Sequence, residues 1–226
     1  KSYESINSKL KKDGTLVTEA DLEVNNMICN CLSEINRDIP IISEEASFDL
    51  GLFKKNYFWL IDPIDGTKNY ADGGNQYTVN IALIKNGYPI VGMICNPPTG
   101  KIWFANSKKA FLLIPNGQKK NLKNKKANWA NPVILSSKNI NNSDDKFLGF
   151  SKKPKKLFVS SSLKFCYLAE GKANIYFRKQ KLNKWDIAAG HAILEASGGL
   201  VTTLTDEKIF YNNSNVKTER FIAAAS

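Results

Sequence analysis

The segment WLIDPIDGTKNY, residues 59–70, sets two carboxylates, Asp62 and Asp65, three residues apart at the end of an apolar run. Clustered carboxylates call for a cation. Trp59, Leu60 and Ile61 predict a buried strand, Pro63 a turn, and Gly66-Thr67 the opening of a helix. A strand, a turn and a helix start together expose backbone N–H groups and the positive end of a helix dipole, and that combination receives phosphate. Alone, such an Asp-rich turn would more often be solvated punctuation. Here Glu44 and Glu45, at the end of a predicted strand, and Asp186, at the start of a predicted helix, can join it. Metal-assisted phosphate ester hydrolysis needs hard oxygen ligands for Mg²⁺, an activated water and a seat for the phosphoryl oxygens. Mg²⁺ keeps waters and takes few protein carboxylates, so this many acids at element ends point to two or more ions sharing ligands.

The elements that must position these groups are also legible. Apolar spacing at Leu22, Met27, Ile28, Leu32 and Ile35 predicts a helix over 19–36, with Thr18 before it and Asp21 in the acid position of a capping box. A strand at 39–42 leads into Ser43, Glu44 and Glu45. Alternating segments at 77–84 and 88–96 meet at Asn86-Gly87, a hairpin signal, and 101–105 with 110–114 predict a second hairpin. The first half, 1–131, is therefore read as an α+β unit, a long helix on an antiparallel sheet. Its Lys- and Asn-rich end, 116–131, reads as an irregular connection, with a boundary near Pro132. The second half, 132–226, alternates strands at 133–136, 157–160, 173–177, 200–204 and 221–224 with helices at 144–148, 161–169 and 185–196. Gly198-Gly199 stops the last helix, and this half reads as α/β.

The remaining composition narrows the function. A chain of 226 residues, 42% hydrophobic, can bury a sizeable core. No apolar run approaches the ~18 residues of a membrane span, and KSYESINSKLKKDG at the start lacks the apolar core of a signal peptide. Cys29, Cys31, Cys95 and Cys166 lack metal-ligand spacing and are read as reduced thiols in a cytoplasm. Cys31 and Arg37 match the C-x5-R pattern of thiolate phosphatases, but they fall in helical spacing where no loop of converging amides can form. His191, the single histidine, sits in another helical run and reads as a packed residue. The net charge of +11 comes from 29 lysines and only 3 arginines, with runs at 119–126 and 152–156. That bias is what AT-rich coding sequence would give, and base-edge readers favour Arg. The runs are read as solvated loops, and nucleic acid is not the expected partner.

Taken together, VTEAD at 17–21, SEE at 43–45, WLIDPIDGTKNY and WDIAAGHAILEASGG at 185–199 resemble the inositol monophosphatase superfamily of lithium-sensitive, Mg²⁺-dependent phosphatases over nearly the whole chain. Within it, YTVNIALI at 77–84, SSLKFCYLAEGKANIY at 161–176 and the GHAI after WDIAA resemble the bacterial 3′(2′),5′-bisphosphate nucleotidases of the CysQ type. The resemblance implies a layered αβαβα sandwich of the inositol monophosphatase and fructose-1,6-bisphosphatase type and two or three Mg²⁺ ions. The implied substrate is small and phosphorylated, adenosine 3′,5′-bisphosphate, cleaved to AMP and phosphate in sulfur assimilation. Glu44, Asp62, Asp65 and Asp186 would be metal ligands, with the Ile64 carbonyl completing one site. Asp21 and Thr67 would orient and deprotonate the attacking water. Ile64, Asp65, Gly66 and Thr67 would hold the phosphoryl oxygens, and Glu44, Ser161 and Asp186 would also touch substrate. Glu45, Lys68 and Trp185 would be supporting residues. Preference for a bisphosphate requires cations on the phosphate that is not cleaved. Lys164 and Arg178, in segments leading to Asp186, are the candidates, set against a solvated helix lysine and a loop arginine.

Three departures from the family pattern stand out. Relatives have a further helix before VTEAD, so a segment is expected to precede Lys1. Ser160 stands where relatives commonly have Gly, and Asn69 in GTKNY is similar to sugar monophosphatases. The nearest rival substrates are accordingly inositol monophosphate and a fructose bisphosphate. A haloacid dehalogenase-type phosphatase would need DxDGT, one residue tighter than DPIDGT, and a GDxxxD segment that is not found. A basic nucleic-acid-binding protein rests on net charge alone. Monomer and homodimer both stay open, as does peripheral contact with the cytoplasmic face of the inner membrane.

Overall fold

In the computed structural model, which describes residues 8–10, 16–123, 129–137, 149 and 154–225, the chain begins with a short antiparallel pair, β1 (Ser8–Leu10) and β2 (Leu16–Thr18). The second strand runs straight into α1 (Glu19–Ile35). Thr18 caps this helix as the sequence predicts. Its hydroxyl takes the Asp21 N–H at 3.4 Å and its own N–H donates to Asp21 Oδ2 at 2.7 Å, closing both arms of a capping box.

A seven-stranded sheet follows in chain order: β3 (Ile41–Ser43), β4 (Tyr57–Asp65), β5 (Thr78–Lys85), β6 (Tyr88–Asn96), β7 (Lys101–Asn106), β8 (Ala110–Leu113) and β9 (Lys119–Leu122). It is mixed rather than antiparallel throughout, because β3 and β4 run parallel across a crossover that contains a 3₁₀ turn, Leu50–Lys54, seated on buried Phe53. Asn86 and Gly87, both with positive φ, close the predicted two-residue hairpin. Period-2 alternation divides β4 between two layers. Trp59 and Ile61 pack with Leu32 of α1, while Phe58 and Leu60 join the main core on the opposite face. Pro63 does not make a turn. It lies within β4, where the pairing with β5 shifts register between Asp62 and Asp65, and a bulge is where a strand interior tolerates proline.

The second sheet, in the order β11-β10-β12-β14-β13, consists of β10 (Val133–Ser136), β11 (Lys155–Phe158), β12 (Ile175–Arg178), β13 (Leu200–Thr203) and β14 (Phe221–Ala224). β11 begins two residues before the expected strand, and the helix expected at 144–148 lies outside the described residues. Two strands correct part of the reading of the lysine runs as loops, while Lys125, Lys126, Lys152 and Lys153 lie outside the described residues. β9 and β11 are the edge strands of their sheets, and they present Lys119, Lys120, Lys155 and Lys156. Lysines on an edge discourage pairing with a foreign strand, so the charge has a structural place that composition could not reveal.

Three helices complete the described residues: α2 (Thr67–Ala71), α3 (Leu163–Ala169) and α4 (Lys184–Ala196). α4 packs on β5, β6 and β7 of one sheet and on β13 of the other, with α3 beside it. Ten of its 13 residues are buried, as a helix enclosed on all sides must be. Among the described residues the layers are thus α1, the seven-stranded sheet, α3 with α4, and the five-stranded sheet, the αβαβ part of the expected αβαβα sandwich. His191 is a packed residue, its Nδ1 3.0 Å from the Tyr211 hydroxyl and its Nε2 3.2 Å from Glu195. Lys184 is fully buried. Its ammonium donates to the carbonyls of Tyr211 (2.8 Å) and Asn213 (2.5 Å) and lies 3.7 Å from the centre of the Phe53 ring. Burial pulls its pKa down to about 8.

The close approach of β6 to α4 depends on Gly92, where a Cβ would stand 2.3 Å from the Ala189 carbonyl oxygen. Gly92→Ala must push the central helix off the sheet and should cost about 1–3 kcal/mol, the usual range for overpacking. Urea unfolding checks this. A lowered midpoint with unchanged slope is expected, and an unchanged midpoint would show that the contact is slack.

Candidate metal and phosphate site

Each acid predicted from the sequence sits where one element ends or breaks. Glu44 follows β3, and its N–H donates to the Ile61 carbonyl at 3.2 Å, which ties it to β4. Asp62 lies at the bulge of β4 and is 2% exposed. Asp186 occupies the first turn of α4, where its Oδ2 accepts the Asn183 N–H at 2.9 Å in a second capping box that the sequence reading missed. Oxygens of Glu44, Asp62 and Asp186 all lie within 4.8 Å of one another. Trp185 supports them by donating its Nε1–H to Glu44 Oε2 at 3.0 Å. Asp65 stands apart from this trio. Its Oδ2 accepts the N–H (2.6 Å) and hydroxyl (2.8 Å) of Ser162, with Asn80 and Thr78 at 3.3 and 3.4 Å.

The electrostatics of this cluster suit a divalent cation. Burial, then the charges of Glu44, Asp65, Asp186 and Glu45, hold the Asp62 carboxyl well above the ordinary carboxylate range. Burial and then Asp65 and Glu44 do the same to Asp186, against the Asn183 hydrogen bond and the charge of Lys217. Hard oxygen donors in a partly buried, mutually repelling group are what Mg²⁺ takes, and a bound ion would reverse the upward shifts.

Asp21 is 1% exposed; its Oδ2 is held by Thr18, and its Oδ1 is buried with no hydrogen-bond partner among the described residues. α2 packs against β2, so the strand that ends at Thr18 lies beside the helix that opens at Thr67. The Thr67 hydroxyl donates to the Ile64 carbonyl at 3.0 Å, and no hydrogen bond joins Asp21 to Thr67 among the described residues. Gly66 has φ +95, and a Cβ there would meet the Gln76 carbonyl at 3.2 Å and the Ser161 Cβ at 3.5 Å. Only glycine lets these segments meet. Ser161 has φ +55, unusual outside glycine, and its hydroxyl is buried without a partner.

Lys164 is not a solvated helix lysine. It is 4% exposed, donates to the Ser161 carbonyl at 3.1 Å and lies 5.2 Å from the Tyr176 ring centre. Burial lowers its pKa to about 8, Arg178 adds to the lowering, and Asp65 and Asp186 oppose it. Arg178 belongs to β12 rather than to the loop after it, and its buried Nε has no partner. Sequence reasoning missed Ser162, Asn80, Gln76 and the use of Asn69. Gln76 accepts the Ser160 N–H at 2.8 Å, and Asn69 accepts the Gln76 N–H at 2.8 Å, so Asn69 closes the loop after α2. Their partners are up to 97 residues away, and no local pattern marks such contacts.

Comparison with known proteins finds relatives in both sequence and fold. A family model described as the inositol monophosphatase family matches residues 1–225. The chain is 39% identical over 215 residues to a 3′(2′),5′-bisphosphate nucleotidase CysQ from Buchnera aphidicola, covering 95% of this chain and 81% of that one. It superimposes on the crystal structure of CysQ from Bacteroides thetaiotaomicron with a TM-score of 0.82 at 27% identity, covering 91% of this chain and 83% of that one. A TM-score of 0.82 at 22% identity to an IMPase/NADP phosphatase complexed with Mg²⁺ and phosphate, covering 98% and 82% of the two chains, shows the same fold. No helix among the described residues is long and apolar enough to cross a membrane.

The elevated carboxyls give the metal-free protein a pH dependence of known sign. A carboxyl whose folded pKa exceeds its unfolded value costs stability when ionised, so stability rises as pH falls through the folded pKa values of Asp62 and Asp186 and levels off near ~4. In EDTA, melting temperature should therefore increase on mild acidification from pH 7. Asp62→Asn should raise it at pH 7, by roughly 2–4 °C for each kcal/mol of relieved repulsion. Mg²⁺ should stabilise the wild type far more than this variant. Equal Mg²⁺ responses would show that Asp62 holds no metal.

Proposed function

The chain belongs to the inositol monophosphatase family, and on that premise we propose that it is a Mg²⁺-dependent 3′(2′),5′-bisphosphate nucleotidase that hydrolyses adenosine 3′,5′-bisphosphate to AMP and phosphate. The observation that carries this reading is the pairing of a partly buried acid trio, Glu44, Asp62 and Asp186, with a buried lysine, Lys164, that feels the charges of Asp65, Arg178 and Asp186. The acids suit a metal, and the two cations suit a second phosphate. The CysQ relative at 39% identity supports the same substrate.

Glu44, Asp62 and Asp186 would hold Mg²⁺, two or three ions in all, with Asp65 and the Ile64 carbonyl. Bound there, Mg²⁺ supplies Lewis acidity to the phosphoryl oxygens and makes a water acidic. Asp21 accepts the proton of the attacking water at Oδ1, the oxygen that Thr18 leaves free, and Thr67 orients that water through its hydroxyl. The backbone amides of Gly66 and Thr67 receive the phosphoryl oxygens, close to Ile64 and Asp65. Ser161 offers its hydroxyl to the substrate, and Glu44 and Asp186 border it. Lys164 and Arg178 engage the phosphate that remains on the product, which fixes the sugar between two charged ends.

A phosphate-release assay with Mg²⁺ against adenosine 3′,5′-bisphosphate, inositol monophosphate and fructose 1,6-bisphosphate tests the assignment, which predicts highest kcat/KM for the first. Preference for either sugar phosphate would overturn the substrate. Lys164→Met should lower kcat/KM for the bisphosphate about ten- to a hundredfold, since a hydrogen bond between charged groups contributes ~1.5–3 kcal/mol. Turnover of a simple monophosphate should barely change. The pH profile gives a second reading. Lys164 loses its proton as pH rises through about 8, so the bisphosphate preference of the wild type should decline above that pH, and the variant should show no such decline. Equal losses on both substrates would make Lys164 a support of the whole site.

A further inference from the structure

We infer that Ser162 is a positioning residue for Asp65. It fastens one carboxylate oxygen, leaves the other for a cation, and ties that carboxylate to the backbone of Asp186. The inference rests on the reading of Asp65 as a metal ligand. Ser162 is 2% exposed and stands just before α3, in the second half of the chain. Its N–H and hydroxyl both reach Asp65 Oδ2, at 2.6 and 2.8 Å, and the same hydroxyl lies 2.8 Å from the Asp186 carbonyl. A serine hydroxyl has one proton, so the two acceptors share it. Asn80 of β5, 1% exposed, donates its amide to Ser162 Oγ at 2.9 Å and occupies one of its two lone pairs. Among the described residues the side-chain hydrogen bonds of Asp65 all fall on Oδ2, which leaves Oδ1 as the oxygen available to a cation. A carboxylate held this way cannot rotate without breaking bonds to both halves of the molecule. Neither Ser162 nor Asn80 needs to touch metal or substrate. Partners of this kind, hydrogen-bonded behind a ligand, change metal affinity by about 10–100-fold when removed.

The test measures Mn²⁺ binding to the substrate-free full chain by electron paramagnetic resonance, with phosphate release recorded alongside. Asp65→Asn defines the class of Mn²⁺ that Asp65 holds. Ser162→Ala should weaken that class about tenfold or more and spare the rest, Asn80→Ala should weaken the same class, and Ser162→Thr, which keeps the hydroxyl, should recover most of the affinity. Melting of the metal-free variants separates positioning from packing. A Ser162→Ala protein that melts lower yet binds Mn²⁺ within twofold of the wild type overturns the inference, as does an Asp65→Asn protein that loses no Mn²⁺ class. Should Ser162→Ala not fold, the threonine and Asn80 variants decide by the same criterion. A wild type that releases no phosphate from adenosine 3′,5′-bisphosphate counts against the proposed reaction instead, and the Mn²⁺ comparison still decides the role of Ser162.

Discussion

Like charges that must be held together while partly buried constrain this molecule more than any other feature. Two unit charges ~4 Å apart in a partly buried site repel by about 4 kcal/mol, and a domain has only about 5–15 kcal/mol of stability in total. The trio of Glu44, Asp62 and Asp186 therefore cannot organise itself. Its members must be borne by elements whose places are settled elsewhere by apolar burial. Glu44 extends from a strand parallel to β4, Asp62 lies where β4 bulges, and Asp186 opens a helix buried on nearly every face. Apolar packing supplies the rigidity, and the acids are the load it bears.

The same requirement explains why the site straddles the two sheets. Asp21, Glu44, Asp62 and Asp65 come from the first half of the chain, while Ser161, Ser162, Lys164, Arg178 and Asp186 come from the second. Trp185 reaches Glu44, Ser162 reaches Asp65, and the Ser160 N–H reaches Gln76. These polar clasps lie around a continuous apolar core that includes residues of both sheets and of α4. The candidate site thus lies at a seam whose geometry neither half fixes alone.

The candidate site is the most legible part of the sequence, because strand ends, caps and turns leave short-range marks. Thr18 with Asp21, Asn86 with Gly87, and the run through Asp62 and Asp65 all announce themselves within a few positions. Hidden from that reading were features whose cause lies far along the chain. Pro63 reads as a turn, yet tertiary pairing holds it inside a strand at a bulge. Lys119 and Lys120 read as loop, yet β8 recruits them as an edge. Lys164 could be judged solvent-facing or buried only once Tyr176 and Ser161 were seen around it. The exposure of Leu22, Met27 and Ile35 on α1 also went unforeseen, since helical spacing says which face is apolar and not what covers it.

The buried ammonium of Lys184 has a consequence for how this lysine-rich chain can change over time. Most of its 29 lysines could drift to arginine by one nucleotide at little cost, because a solvated cation is indifferent to its shape. Position 184 is closed to that drift. Two carbonyls and the Phe53 ring enclose a compact ammonium, and a planar guanidinium with five donors would overfill the space and leave donors unanswered. One lysine among many is thus retained by shape, two residues before an acid of the cluster.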